Sequence, residues 1–203
     1  MRKVERGTMS IDYTGARRAA ASLLALAAVS AAAAAAPVTY RVDPARTVAG
    51  YAIVYFGVLA QQGRFARSRG TMTIDLAAGE GSVEISIDAR SVDSGFAPRD
   101  DFIRDGAMLD AARHPNIVFA STHLTFEAAR LVRIEGRLSM HGVTRDVALD
   151  VVAFDCGSAD SEAPRACLAD ATTALRRSDY GITGFVPLID DVVTLDFRVV
   201  GVR

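Results

Sequence analysis

Few residues of this chain have types and spacings that could do chemistry. Its three histidines are His114, His123 and His141. His114 precedes a proline in a turn, His123 opens an alternating stretch, and His141 stands beside Gly142 where the chain reverses. A zinc site gathers three or four ligands at short, recognisable spacings, and a hydrolytic triad joins a nucleophile, an imidazole and a carboxylate. The histidines fit neither pattern, and a metal shared by two of them is the residual alternative. Arg177-Ser178-Asp179 brings a hydroxyl near a carboxylate, but Ser and Asp in such a stretch bond their own backbone in turns. Neither Gly-x-Gly-x-x-Gly nor Gly-x-Ser-x-Gly occurs. The expectation is a non-enzyme with no cofactor and no metal site. Cys156 and Cys167 bracket a polar, turn-rich segment, and in an oxidising compartment such a pair reads as a disulfide. Closing so short a loop contributes roughly 3 kcal/mol in the chain-entropy account.

The elements that must position anything else are strands. In Leu131–Val151, Val132, Ile134, Leu138 and Met140 share one parity, and Val147, Leu149 and Val151 share one after the turn. That period of two predicts a hairpin with one apolar face, turning at His141-Gly142-Val143-Thr144. Gly136 interrupts the first arm and predicts a bulge there. Further strands are expected at Val38–Val42, Val48–Val58, Thr71–Leu76, Ser82–Asp88, Ile117–Ser121, His123–Phe126, Leu168–Leu175 and Val192–Val200, with Gln61–Phe65 as a connection. One helix is expected over Arg99–Leu109, with His114-Pro115 closing it off. Eight or so antiparallel strands are most stable closed on themselves, because closure removes edges. The fold class is therefore all-β, a single closed antiparallel barrel with a short helix inserted at one end. A barrel of that size can enclose one elongated ligand in an apolar cavity.

The candidate inward positions are Ile53, Tyr55, Phe65, Met72, Ile74, Val83, Ile85, Ile87, Phe102, Met108, Phe119, Leu138 and Met140. Taken alone they read as core, and in a barrel the core face is also the cavity wall. Met72, Met108 and Met140 would suit an adaptable lining.

The chain begins with Arg17-Arg18, an apolar run from Ala19 to Val29 and small residues to Ala36. Residues 1–36 read as a secretory signal peptide cleaved near Ala35 or Ala36, with Met9 as an alternative start. The rival is a membrane anchor, but the run is short and mostly alanine. Residues 37–203 then form one domain, with 18 basic and 22 acidic residues and a net charge of −4. Without a basic block, nucleic acid and anionic membrane surfaces are not expected partners.

Several segments together resemble the YceI family of bacterial periplasmic proteins. They are Tyr40-Arg-Val-Asp43, Gly63-Arg-Phe65, Ser91-Val-Asp-Ser-Gly95, Arg99-Asp100, Leu109-Asp110, His114-Pro-Asn-Ile-Val-Phe119, Gly136–Thr144, Arg177-Ser-Asp-Tyr-Gly181 and Asp191–Leu195. The resemblance spans essentially the whole exported chain. It implies a lipocalin-like barrel in the periplasm whose cavity holds a polyisoprenoid or isoprenoid quinone, with the thirteen apolar positions as its lining. Head-group contacts from Arg46, Arg99 or Arg104 and a homodimer are compatible with it. Arg46-Thr47 stand where the family usually has His-Ser, and Phe102-Ile103 where it has His-Leu. The alternatives are a packed structural or stress-response interaction module without lipid, and an enzyme acting on the bound lipid.

Overall fold

The computed structural model describes residues 36–157 and 165–203. The signal-peptide reading of residues 1–36 lies outside these, Ala36 excepted. Eleven strands form one sheet: β1 (Val38–Val42), β2 (Val48–Tyr55), β3 (Leu59–Phe65), β4 (Ser68–Asp75), β5 (Glu80–Asp88), β6 (Val92–Asp93), β7 (Asn116–Glu127), β8 (Arg130–Met140), β9 (Val143–Asp155), β10 (Ala166–Arg176) and β11 (Ile189–Val202). The helix α1 (Ala97–Arg104) lies between β6 and β7.

Register shows that these make eight wall strands. β1 pairs with the end of β11 (Arg41 opposite Val202) and β2 with its earlier part (Val48 opposite Arg198), so β1 and β2 are one strand with a jog. In the jog Asp43 donates to Val200 O at 2.7 Å, and the Val200 amide donates to Thr47 Oγ1 at 3.1 Å. β3 and β4 likewise pair in turn with β2 and β1, and β5 and β6 with β4 and β3. From there the antiparallel ladder runs through β7, β8, β9 and β10 to β11, which closes on β1 and β2. The result is a closed eight-stranded up-and-down barrel, and inward side chains of every strand meet in one core.

Several boundaries differ from the sequence reading. Gln61–Phe65 is part of β3 rather than a connection, because Gln61, Gly63 and Phe65 alternate inward against Gln62 and Arg64. Its inward face is too polar to register as a strand by apolar periodicity. The Val48–Val58 run stops at Tyr55, where Phe56 and Gly57 take φ of 54° and 70° and turn the chain. Ile117–Ser121 and His123–Phe126 are one strand, β7, with the extra residue Thr122 bulged between them. That bulge lies on β7, opposite Gly136, and not on β8. Gly136 itself stays in register with Val147. A second bulge puts Leu131, rather than Val132, inward. The hairpin turns over His141-Gly142 alone, both at positive φ (53° and 77°), the two-residue geometry that matches strand twist. The helix begins earlier than expected, with Pro98 in its first turn, and ends at Arg104. Asp105 stops it by accepting the Ala107 amide at 3.1 Å, a local bond that competes with helix continuation. Turns fill the remaining distance to His114.

Gly136 is required by packing. A Cβ there would come within 2.6 Å of both Ala120 O and the Phe119 ring. Gly136→Val is expected to cost about 2 kcal/mol of stability, the scale of overpacking, read as a lowered urea midpoint with an unchanged slope.

Candidate functional site

The two ends of the barrel differ. One carries the short turns at residues 76–79 and 128–129, the start of β1 and the Cys156–Cys167 disulfide, whose cysteines are both buried. The other carries the turn after β2, the α1 segment, the His141-Gly142 turn and the long connection from Arg177 to Leu188. Between them lies an apolar cavity of about 140 Å³, measured as room for the centre of a water-sized sphere. One water needs about 10–15 Å³ on that scale, so the space is a real void rather than a packing defect.

Ile53, Tyr55 and Phe65 from β2 and β3, Met72 and Ile74 from β4, and Val83, Ile85 and Ile87 from β5 all line it. Met108, Phe119, Leu138 and Met140 do so as well. Phe102 does not. It is half-buried against the core beside the outer groove, edge-on to Phe185 with ring centroids 5.0 Å apart, while its neighbour Ile103 is buried and faces the cavity. Successive helical residues point about 100° apart, so only one of the pair can face in, and the choice turns on how α1 docks. The sequence reading also passed over Leu131, Ile134 and the inward row Val193, Leu195, Phe197 and Val199 of β11. The alternation was visible in β11 and at Ile134; the bulge hid only Leu131.

Among the described residues only Tyr51, Tyr55, Thr173 and Arg177 bring polar side chains to the lining. Tyr51 lies flat over Gly63, its cross-strand neighbour, where a Cβ would collide with the ring. Its hydroxyl is buried with no hydrogen-bond partner among the described residues, and burial pushes it up to about 12. Arg177 is 5 % exposed, and burial lowers its pKa. Its Nε donates to Asp190 O and its Nη2 to Ile189 O, each at 3.0 Å, and Nη1 reaches Gly184 O at 3.4 Å and Met108 Sδ at 3.8 Å. Arg177 thus ties the 184–190 connection to the rim of the cavity. No such role was legible in Arg177-Ser178-Asp179 read as a turn. Ser178 does not bond its own backbone: its amide and hydroxyl both donate to Asp191, at 2.8 and 2.7 Å.

Tyr55 belongs both to the cavity and to a shallow outer groove made with Phe56, Leu59, Gln61, Phe96, Pro98, Arg99 and Phe102. It marks the mouth. Of the three arginines considered for a head group, only Arg99 is near it, 5.6 Å over the Phe96 ring. Arg46 pairs with Asp43 at the jog between β1 and β2, and Arg104 pairs with Asp101 outside the cavity. The His114 and His141 rings lie 5.2 Å apart, tilted by 56°, and His141 Nδ1 lies 3.0 Å from Tyr180 O. His123 is apart from them, exposed on β7. Among the described residues no three His, Cys, Asp or Glu side chains are placed to hold a metal.

This barrel geometry has known relatives. The YceI-like domain profile matches residues 40–201. The chain belongs to the YceI-like family. A UPF0312 protein of Azotobacter vinelandii is 31% identical over 75% of this YceI-like chain and 80% of its own. A UPF0312 protein of Vibrio cholerae is 28% identical over 78% and 83%. Among solved structures, Burkholderia cenocepacia BcnA superposes with a TM-score of 0.68 at 20% identity, covering 78% of this chain and 98% of that one. A polyisoprenoid binding domain from Saccharophagus degradans, implicated in plant cell wall breakdown, gives 0.59 at 18% identity, covering 81% and 98%. These structural likenesses establish the fold.

Two carboxylates hold the mouth elements. Asp100 of α1 accepts from the Ser94 hydroxyl at 2.6 Å and the Ser94 amide at 2.8 Å, and Asp191 holds Ser178. The serine hydroxyl bonds keep both carboxyls below the ordinary range. Their stabilisation is therefore complete above about pH 4 and is lost as pH falls through the lowered values. Amide protection factors, corrected for the intrinsic exchange rate, should fall in α1 and the 177–188 connection on acidification below pH 4 while those of the β7–β8 ladder hold.

Proposed function

We propose that this protein binds an isoprenoid lipid, a quinone or polyprenyl compound, in the barrel cavity and carries or stores it in the bacterial periplasm. The carrying observation is a void inside a closed barrel whose lining is apolar apart from Tyr51, Tyr55, Thr173 and Arg177. A polar ligand would leave its groups unpaired there, whereas an apolar chain loses nothing. Family membership and the polyisoprenoid binding domain among the structural neighbours support the same reading. The disulfide supports an oxidising compartment, and with it export through residues 1–36. No helix among the described residues is long and apolar enough to cross a membrane.

Magnitudes bound the ligand. Burial contributes about 0.8 kcal/mol per methylene. Three isoprene units, fifteen carbons, give roughly 12 kcal/mol gross, against roughly 4–15 kcal/mol for lost freedom on association. Shorter chains should bind weakly, and affinity should climb with tail length until the cavity is full. Flexible Met72, Met108 and Met140 allow the wall to adjust to a branched chain.

Ala171 lines the void from β10 and is buried. Ala171→Phe fills the space without adding charge. Titration with prenols of increasing length should show at least tenfold weaker binding in this variant with its circular dichroism unchanged. Equal affinity in the wild type and a folded variant would remove the cavity as the site and favour a packed interaction module.

A further inference from the structure

Around Tyr55 the mouth is ringed by large apolar side chains that no other described residue covers. Phe56 and Val58 (63 % and 80 % exposed), Leu59, Phe96, Phe185, Val186 and Leu188 all project to solvent. They are contiguous: the Phe56 amide donates to Leu188 O at 2.7 Å, Phe185 meets Phe102, and Phe56, Leu59, Phe96 and Phe102 share the outer groove. The other large apolar exposed side chains among the described residues, Val48, Val152 and Val192, stand singly on the outer wall. A patch of this kind marks a contact surface.

The rim is also held in place. Phe56 and Phe185 sit at φ of 54° and 63°, a region bulky residues avoid, yet neither gains burial from it. Arg177 grips the carbonyls of Gly184, Ile189 and Asp190 on either side of the Phe185–Leu188 tip. The tip is therefore presented outward by a buried charge.

We propose that this rim docks on the surface of a lipid bilayer, bringing the mouth to the pool from which a lipid ligand is taken. The inference rests on the lipid-binding reading above. Continuity with the cavity argues for this occupant: Tyr55 lines both cavity and groove, so whatever covers the rim stands on the ligand's path. The composition is that of an interfacial anchor, phenylalanines with Arg99 over Phe96 at the edge. Arg64 pairs with Asp93 and Arg104 with Asp101, which leaves Arg99 as the rim's cation beside a much larger apolar surface, so docking should occur on zwitterionic lipid and respond only modestly to salt.

The chain has no tryptophan, so one can be placed as a reporter. Val58→Trp should shift to the blue on adding phosphatidylcholine vesicles and be quenched by bromine in their acyl chains. Val152→Trp on the outer wall should do neither. Val58→Asp with Leu188→Asp should weaken vesicle binding at least tenfold while a preloaded polyprenol is retained as in the wild type. A reporter that vesicles leave unmoved, in protein that still retains polyprenol, overturns the rim and leaves the cavity reading standing. A blue shift that follows protein concentration alone also overturns it, in favour of a second copy. Vesicle docking by protein that retains no polyprenol supports the rim and counts against the cavity reading.

Discussion

Closure of the sheet is the constraint from which the rest follows. The seam is short: β11 meets β1 through Arg41 opposite Val202 and Val42 opposite Gly201, then passes to β2 across the jog at Asp43–Thr47. Gly201 is tied to it, since a Cβ there would press within 2.6 Å of Tyr40 Cβ and the Met72 methyl. Tyr40, Val42, Val199 and Val200 are buried at the seam, and the Thr47 hydroxyl accepts an amide that the jog would otherwise strand. Once closed, an eight-stranded sheet has one interior, and every inward side chain is at once core and cavity wall.

That double role makes packing and binding compete. A fully filled interior would be more stable, since each void forfeits dispersion contacts. Here the void lies between an end that carries the disulfide and short turns and a mouth whose elements are held by polar bonds. Asp100 with Ser94, Asp191 with Ser178, and Arg177 with three carbonyls fix α1 and the 177–190 connection. These are hydrogen bonds at the edge of an apolar space, so the mouth keeps its shape without filling the cavity. Local stability should be lowest there, the common property of segments that admit a ligand.

How much of this could be read from the residues depends on which physical signal each position carries. Alternation in Thr71–Leu76, Ser82–Asp88 and Leu131–Val151 is a strong signal because those strands have one oily face. β3 was hidden because its inward face includes Gln61 and Gly63. The two bulges in the β7–β8 pair shift parity by one residue, which is why Val132 was read as the inward residue and Leu131 holds that place. Phe102 and Ile103 illustrate a limit of another kind: adjacent apolar residues on a short helix give no indication of which faces the barrel. Arg177 was opaque because its partners are backbone carbonyls, which leave no trace in side-chain spacing. The disulfide was legible because two cysteines flanking one polar loop leave little else to do.

The central claim is that the cavity holds an isoprenoid chain. Mass spectrometry of the purified protein under native conditions, then after solvent extraction, tests it most directly. The account predicts a stoichiometric mass increment that solvent removes and that resolves into a series spaced by isoprene units or a single quinone. A ligand-free mass that persists after incubation with quinones and polyprenols would contradict it.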